Sequence, residues 1–165
     1  AIAETKYAEK TKDIIRGELR KFIFSESMEV LPNPLILDAN GNMVEIGYKE
    51  DILIINFWAT WCAPCKKEMP SLNSLAQKMK YEDIRIITIA SGRNSKEAID
   101  AFFDDNNLIN LKKYRDPRGK IAVKYGITAL PTTVVINPKG IEIGRIIGDI
   151  DWDTTDVRSF FRKLL

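Results

Sequence analysis

The feature that most constrains this chain is a pair of cysteines, Cys62 and Cys65, that follows a short apolar run. The run, ILIINFW at 52–58, is nearly continuous, as expected for a strand buried on both faces of a sheet. After the cysteines, apolar residues at 69, 72, 75, 76 and 79 recur with the spacing of a helix. The cysteines are therefore predicted to lie where a buried strand ends and a helix begins.

Three kinds of site use two cysteines at this spacing: half of a metal site, a structural disulfide and a redox couple. A zinc site needs four ligands. This chain has no histidine and no third cysteine, so a dimer or carboxylates would have to complete it. A structural disulfide would gain little here, because the loop that it closes is so short. The spacing thus favours a redox couple.

The two cysteines are expected to have different roles. Cys62 would open the helix among unpaired backbone N–H groups, a position that stabilises a thiolate and lowers the pKa of a cysteine. Pro64 falls in the first turn, where its missing N–H costs nothing. Cys65, one turn deeper, is placed to attack a mixed disulfide at Cys62 and release the substrate. We expect Cys62 to be the nucleophile and the exposed thiol, and Cys65 to be the shielded, resolving cysteine.

Composition excludes several other classes of function. The 165 residues suffice for one domain, and 25 basic against 23 acidic residues leave a net charge of +2, which indicates no nucleic-acid binding. The absence of histidine excludes Ser-His-Asp triads, Cys-His pairs and histidine-ligated haem, copper or zinc. No apolar run reaches 18 residues, and the first ten residues do not have the pattern of a signal peptide. Chemistry must then rest on thiols, carboxylates, lysines or backbone dipoles.

Periodicity predicts an α/β domain with a mixed sheet between helices. Asn40 and Gly41 predict a β-hairpin over 35–46 with a type I′ turn, and Pro70 predicts a kink in the helix after the cysteines. The other expected elements are an amphipathic helix over 5–27, strands over 84–90, 132–136 and 141–147, and helices over 95–107, 119–125 and 153–164, the last with Val157, Phe160, Phe161 and Leu164 inward.

Several motifs resemble the thioredoxin superfamily: WCAPC after a buried strand, Pro70 eight residues past Cys62, and ITALPTT further on. The strings NFWATWCAPCKKEMPSL, GITALPTTVVINPKG and GDIDWDTTD are similar to the TlpA and ResA group, membrane-anchored bacterial thiol-disulfide oxidoreductases that face the extracytoplasmic side. The resemblance implies a thioredoxin fold, a central mixed β-sheet flanked by helices, with an N-terminal helix and β-hairpin extension. It covers the thioredoxin-like domain at 31–165, after an N-terminal helical extension at 1–30. It also implies a periplasmic location and an anchor preceding the first residue.

The resemblance implies further site residues. Pro131 matches the family's cis-proline, which lies beside the disulfide and exposes backbone for pairing with the substrate. Leu130 would line the substrate groove, together with Ala63 and Pro64 between the cysteines. Trp61 would frame the site, and so would Trp58.

One position departs from thioredoxin itself, in which a buried aspartate before the motif helps to move the proton of the resolving cysteine. Here that position is Asn56, which cannot titrate. Glu68 stands three residues after Cys65 on the same helix face, where ResA-like proteins also keep an acid. A half-buried carboxylate there would have its pKa raised and could take and return a proton. The alternative is a solvated helix glutamate beside Lys66 and Lys67.

The residues between the cysteines indicate the direction of electron flow. DsbA-type oxidants keep a histidine there, whereas Ala63 and Pro64 offer no charge and no side-chain donor, so a reducing potential is expected. The resemblance then implies a protein-disulfide reductase without cofactor or metal, which acts as a monomer and is recharged by an upstream membrane thiol reductase. A TlpA-like role in copper-centre assembly of cytochrome oxidase is preferred. Three alternatives remain: a ResA-like or CcmG-like role with apocytochrome c, a Sco-like copper chaperone, which would need a histidine, and a cytosolic thioredoxin.

Overall fold

Eight strands form one mixed sheet that carries helices on both faces. The computed structural model describes residues 2–165, with side chains from residue 6 onward. The helices are α1 (Ile2–Thr11), α2 (Ala63–Lys78), α3 (Lys96–Asp105), α4 (Lys120–Lys124) and α5 (Thr155–Leu164). The strands are β1 (Phe22–Phe24), β2 (Leu35–Leu37), β3 (Met43–Glu45), β4 (Ile52–Trp58), β5 (Ile84–Ser91), β6 (Lys112–Asp116), β7 (Thr132–Ile136) and β8 (Glu142–Ile147).

The strand order is β1-β8-β7-β4-β5-β6-β2-β3. The strands β4, β5 and β6 are parallel neighbours, and all other pairs are antiparallel. The carboxyl ends of β4, β5 and β6 therefore meet at one edge of the sheet, together with the start of β7, since β7 runs opposite to β4. In sheets of this kind, ligands bind outside the carboxyl ends of the parallel strands.

The sheet separates two hydrophobic cores. On one face, α2, α3 and α5 pack over the sheet and bury a large cluster that includes both cysteines. On the other face, α4 covers a smaller cluster around Phe57 and Tyr125. All seven residues of β4 are buried, as the apolar run predicts, because both of its faces lie under helices.

Most of the predicted helices and strands are present. The structure confirms helices after Ser95, over 120–124 and over 155–164, and Ser95 caps α3 by accepting a hydrogen bond from the backbone N–H of Ala98. The four residues predicted to face inward on α5 are all buried. Helix α2 continues through Pro70, and the kink there stays a prediction. Sequence periodicity missed β6, because its residues, KKYRD, are mostly charged and do not alternate.

The hairpin of β2 and β3 is confirmed, but its predicted type I′ turn is wrong. Such a turn needs positive φ at both central residues, and of the two only Gly41 has one. The loop instead spans 38–42, where Asp38 Oδ1 accepts hydrogen bonds from the N–H groups of Asn40 and Asn42. These hydrogen bonds from the Asp38 side chain to backbone N–H groups of its own loop stabilise the longer connection in place of the two-residue turn.

The single helix predicted over 5–27 is also wrong. Helix α1 ends at Thr11, two short 3₁₀ helices follow, and β1 pairs with β8 at the edge of the sheet. Phe22 of β1 packs edge-on against Phe160, so tertiary packing overrides the helical pattern at this point. The division at residue 30 stays a prediction, although β1 belongs to the common sheet. Within residues 2–165, no helix has both the length and the apolar character needed to cross a membrane.

Candidate active site

Cys62 is the N-cap of α2, four residues after the carboxyl end of β4, and is joined to Cys65 by a disulfide. Its Sγ accepts a hydrogen bond from the backbone N–H of Cys65 at 3.4 Å. Ala63 and Pro64 form the first positions of the helix, as predicted. The local geometry thus places the Cys62 sulfur among the N–H groups of a helix start, which stabilise negative charge.

The two sulfurs are not equally shielded. Cys65 is completely buried and Cys62 is 7% exposed, so Cys62 is the more accessible cysteine, but in the disulfide form it is not the freely exposed residue that we expected. Trp61, the residue before Cys62, is 68% exposed and presents apolar surface next to the disulfide. Trp58, expected to frame the site, instead lies in the core against Phe102 and Phe103.

An asparagine from the next loop holds the turn between β4 and α2. Asn94 Oδ1 accepts hydrogen bonds from both the backbone N–H and the hydroxyl of Thr60, at 2.7 and 2.9 Å. Its amide group donates to the carbonyl oxygen of Ser91 at 2.9 Å. Asn94 therefore ties the cysteine turn to the end of β5. Sequence reasoning missed this residue, because nothing in its local pattern shows which loop it will face.

The Leu130–Pro131 peptide bond is cis, as the family resemblance implied. Pro131 precedes β7, whose first residue pairs with Phe57 near the carboxyl end of β4, so the proline lies at the same sheet edge as the cysteines. Pro131 is buried, and its carbonyl oxygen already accepts the N–H of Gly148 at 2.8 Å. Leu130 is partly exposed, and the described backbone hydrogen bonds include none to it. An extended substrate could pair there in the manner of an added strand.

Glu68 is 2% exposed, so the alternative of a solvated surface glutamate is wrong. Its Oε1 accepts a hydrogen bond from Asn56 Nδ2 at 2.8 Å. Its Oε2 accepts from Trp152 Nε1 at 2.8 Å and from the backbone N–H of Ile150 at 3.2 Å. Asn56 Nδ2 also donates to Thr133 Oγ1 at 3.0 Å, so the carboxylate connects α2 with β4, β7 and the segment after β8.

The environment of Glu68 changes its acidity. Burial raises its pKa from 4.5 to about 7, and the nearby charge of Asp149 acts in the same direction. The hydrogen bonds from Trp152, Asn56 and the Ile150 N–H oppose this by stabilising the carboxylate. The carboxyl is thus able to exchange a proton near neutral pH.

Sequence reasoning identified Asn56 and Glu68 but missed the partners from 150 and 152. The segment GDIDWDTTD was visible only as part of a family resemblance, and its indole lies 84 residues from Glu68 along the chain. In the part of the chain that the structure describes, no cluster of three or more cysteine, aspartate or glutamate side chains could hold a metal ion.

A cysteine pair at the start of a helix, next to a cis-proline at the edge of a mixed sheet, defines the thioredoxin-like class of thiol-disulfide proteins. A thioredoxin-like family profile matches residues 50–142. ResA of Bacillus thuringiensis, a thiol-disulfide oxidoreductase, is 34% identical over 140 residues, which cover 78% of this chain and 75% of that protein. ResA of Bacillus subtilis is 32% identical over 118 residues, covering 71% and 65%.

The chain therefore belongs to the thioredoxin-like family, among the thiol-disulfide oxidoreductases. The crystal structure of StoA from Bacillus subtilis has the same fold, with a TM-score of 0.66 and 24% identity, covering 79% of this chain and 98% of that one. These similarities are to ResA and StoA, and the closer likeness to TlpA stays a prediction.

Proposed function

We propose that this chain is an extracytoplasmic protein-disulfide reductase that keeps the cysteines of client proteins reduced. The observation that carries the proposal is the asymmetry of the pair: Cys62 caps α2 and is the more accessible sulfur, whereas Cys65 is completely buried one turn further on. Only Cys62 can contact a client disulfide, and only Cys65 can then attack Cys62 from inside the protein.

The reaction exchanges two disulfides. The Cys62 thiolate attacks one sulfur of the client disulfide, forming a mixed disulfide and releasing the other client sulfur as a thiolate. The Cys65 thiolate then attacks Cys62 Sγ, which forms the Cys62–Cys65 disulfide and releases the second client thiolate. Two electrons pass from the dithiol to the client, and the disulfide form described above is the product state.

In this proposal Glu68 accepts the proton of the Cys65 thiol and later returns it. It lies one helical turn from Cys65 on the same face and is buried in the same part of the core. A carboxyl whose pKa is about 7 accepts a thiol proton without holding it too tightly to return it. Asn56, which cannot titrate, then acts by holding the Glu68 carboxylate rather than by replacing it.

The residues between the cysteines support a reducing protein. Ala63 and Pro64 bring no charge near the thiolate, so the reduced form lacks the extra stabilisation that makes a strong oxidant. The relatives named ResA favour clients of the ResA type, for which the resemblance implies apocytochrome c. The strings around the cysteines and around Trp152 favour the TlpA type and a client in copper-centre assembly. For either type of client we infer a protein outside the cytoplasm, a monomer tethered by an anchor and recharged by a membrane thiol reductase.

Trapping tests this proposal and separates the two kinds of client. With Cys65→Ser expressed in the native host, the second attack is blocked and clients should accumulate as mixed disulfides at Cys62. The matched control is Cys62→Ser, which should capture none of them. Recovery of an oxidase copper protein supports the TlpA type, and recovery of an apocytochrome c supports the ResA type. If both variants capture the same proteins, or neither captures any, the reductase proposal is refuted.

A further inference from the structure

An apolar groove opens where the hairpin of β2 and β3 leaves β6. The two strands pair only at Leu37 and Arg115, and two residues further along the ladder Leu35 would stand opposite Pro117. A proline has no N–H to donate, so pairing cannot continue. The carbonyl oxygen of Asp116 accepts the N–H groups of Gly92 and Gly119 instead of one from β2. The gap that results has a volume of about 460 Å³.

The floor of the groove is apolar and its rim is cationic. Leu35 and Met43 are 55% and 57% exposed there, although both are large apolar side chains. Four cationic residues line the same groove: Arg115, Arg118, Lys120 and Lys124. Among residues 2–165, none of these four side chains has a hydrogen bond or ion pair.

The single carboxylate in the lining, Asp116, can offset at most one of these four positive charges. Asp116 Oδ2 accepts hydrogen bonds from the N–H groups of Ile121 and Ala122, at 3.0 and 3.1 Å, and so caps the start of α4. Four positive charges that lack partners around an exposed apolar surface favour an occupant with apolar side chains and negative charge.

The groove lies at the same edge of the sheet as the disulfide. Cys62 follows β4, the groove adjoins the end of β6, and β5 lies between these two parallel strands. Neighbouring strands are about 4.8 Å apart, so the ends of β4 and β6 are separated by roughly 10 Å. Cys62 lies beyond the end of β4 and the groove lies beside α4 on the other face of the sheet, so a client needs at least about three extended residues to reach from one to the other. Arg93 is exposed on the loop after β5, between the two places.

We propose that this groove is a second contact site for the client polypeptide, and that it binds a segment with an apolar side chain flanked by carboxylates at least three residues from the client's reactive cysteine. The inference rests on the proposed reductase function, since it assigns the groove to the substrate of that reaction. The client's cysteine meets Cys62 while its acidic segment meets the cationic rim. Client choice then depends on the hairpin and α4 as well as on the residues that touch the disulfide.

Two synthetic peptides test the charge preference. Each has one cysteine joined through a flexible six-residue spacer, which reaches about 20 Å when extended, to Glu-Leu-Glu in the acidic peptide or Lys-Leu-Lys in the basic one. With the cysteine activated as a mixed disulfide with thionitrobenzoate, attack by the reduced Cys65→Ser variant links the peptide to Cys62 and releases coloured thionitrobenzoate. At low salt we expect the acidic peptide to react about tenfold faster than the basic one, because charge complementarity raises encounter rates by 10-fold or more. The ratio should fall as salt is added.

Two substitutions that change the charge by the same amount test whether the preference for the acidic peptide arises at the groove. In the Cys65→Ser background, Lys120→Glu reverses one charge of the rim and should reduce the ratio by severalfold. Lys139→Glu makes the same change on an exposed turn after β7, at the opposite edge of the sheet, and should leave it unchanged. Met43→Thr should slow the acidic peptide, whereas Ile109→Thr, at another exposed apolar residue, should not.

Binding of a peptide without a thiol separates this inference from the reductase function. An acidic peptide with serine in place of cysteine should shift the NMR signals of Met43 and of α4 in the wild-type protein, and less so in Lys120→Glu. Release of thionitrobenzoate at equal rates from both peptides, or equal effects of Lys120→Glu and Lys139→Glu, overturns the groove assignment alone. No release from either peptide overturns the reductase function. Binding to anionic lipid vesicles that Lys120→Glu abolishes, without any peptide preference, would assign the groove to a membrane and refute the client site.

Discussion

Replacing Glu68 by glutamine should change how the stability of this protein depends on pH. Glu68 is 2% exposed, and its pKa is about 7 in the folded protein against an ordinary value of 4.5. Because the folded pKa is raised, the stabilising contribution of the protonated carboxyl is fully present below about pH 4.5. It is lost as the pH rises to about 7, where the buried group ionises. At roughly 1.4 kcal/mol per pH unit, the folded state loses about 3 kcal/mol over this interval.

A glutamine at position 68 does not ionise, so it does not undergo this loss. Its amide nitrogen would face Asn56 Nδ2, another donor, if nothing rearranged. Asn56 Oδ1 is buried and has no hydrogen-bond partner among the described residues, so rotating the Asn56 amide group would present an acceptor to the new nitrogen. The remaining disturbance should cost about 1 kcal/mol, the net worth of one hydrogen bond.

The variant should therefore be less stable than the wild type by about 1 kcal/mol near pH 4.5 and more stable by about 2 kcal/mol near pH 8. Urea unfolding of both proteins, followed by tryptophan fluorescence at pH values from 4 to 8, measures this difference. The proteins are kept in the disulfide form so that no thiol titrates.

Glu97→Gln, which removes an exposed carboxylate at the start of α3, is the matched control. Its stability should run parallel to that of the wild type across the same pH range. If the Glu68→Gln curve is equally parallel, the carboxyl at position 68 is not perturbed by burial and the reasoning above fails.

Four further results are expected. Limiting iodoacetamide should alkylate Cys62 of the reduced protein before Cys65, and peptide mapping that finds Cys65 labelled first would reverse their roles. Equilibration with dithiothreitol should give a potential nearer about −270 mV than about −120 mV, and a value above about −180 mV would indicate an oxidase or isomerase. Glu68→Gln should slow release from a Cys62 mixed disulfide by about 100-fold or less between pH 5 and 9, and an unchanged stopped-flow pH profile would remove Glu68 from the mechanism. Trp152→Phe removes one hydrogen bond to the carboxylate, so infrared titration should find the pKa of Glu68 raised by roughly one unit, and a pKa that stays at about 7 would show that the indole does not matter.

The cysteine site could be predicted because its parts are close together in the chain. The apolar run that ends at Trp58, the helical spacing after Cys65 and Pro64 in the first turn all act within a few residues. Backbone N–H groups at a helix start have the same effect wherever the helix lies, so the placement of Cys62 followed from local rules alone. The cis form of Pro131 was different, since only a family resemblance implied it.

The strands that sequence patterns did not predict show where local rules are insufficient. Residues 22–24 carry a helical apolar pattern, yet they form a strand because an edge of the sheet and Phe160 are available to them. The charged residues 112–116 do not alternate, yet they form β6 because β5 offers them a parallel partner. In both cases a contact distant in sequence outweighs propensity.

Sequence alone determined the type of chemistry: two cysteines, no histidine and a helix start leave little besides dithiol exchange. It also placed Glu68 on the helix face that carries Cys65. Only the tertiary structure decided that this face is covered by Trp152 and Ile150, residues more than 80 positions away. Helical spacing specifies which side chains share a face, but desolvation and hydrogen bonding depend on what packs against that face. The acidity of Glu68, which is set by both, is therefore a property of the folded chain.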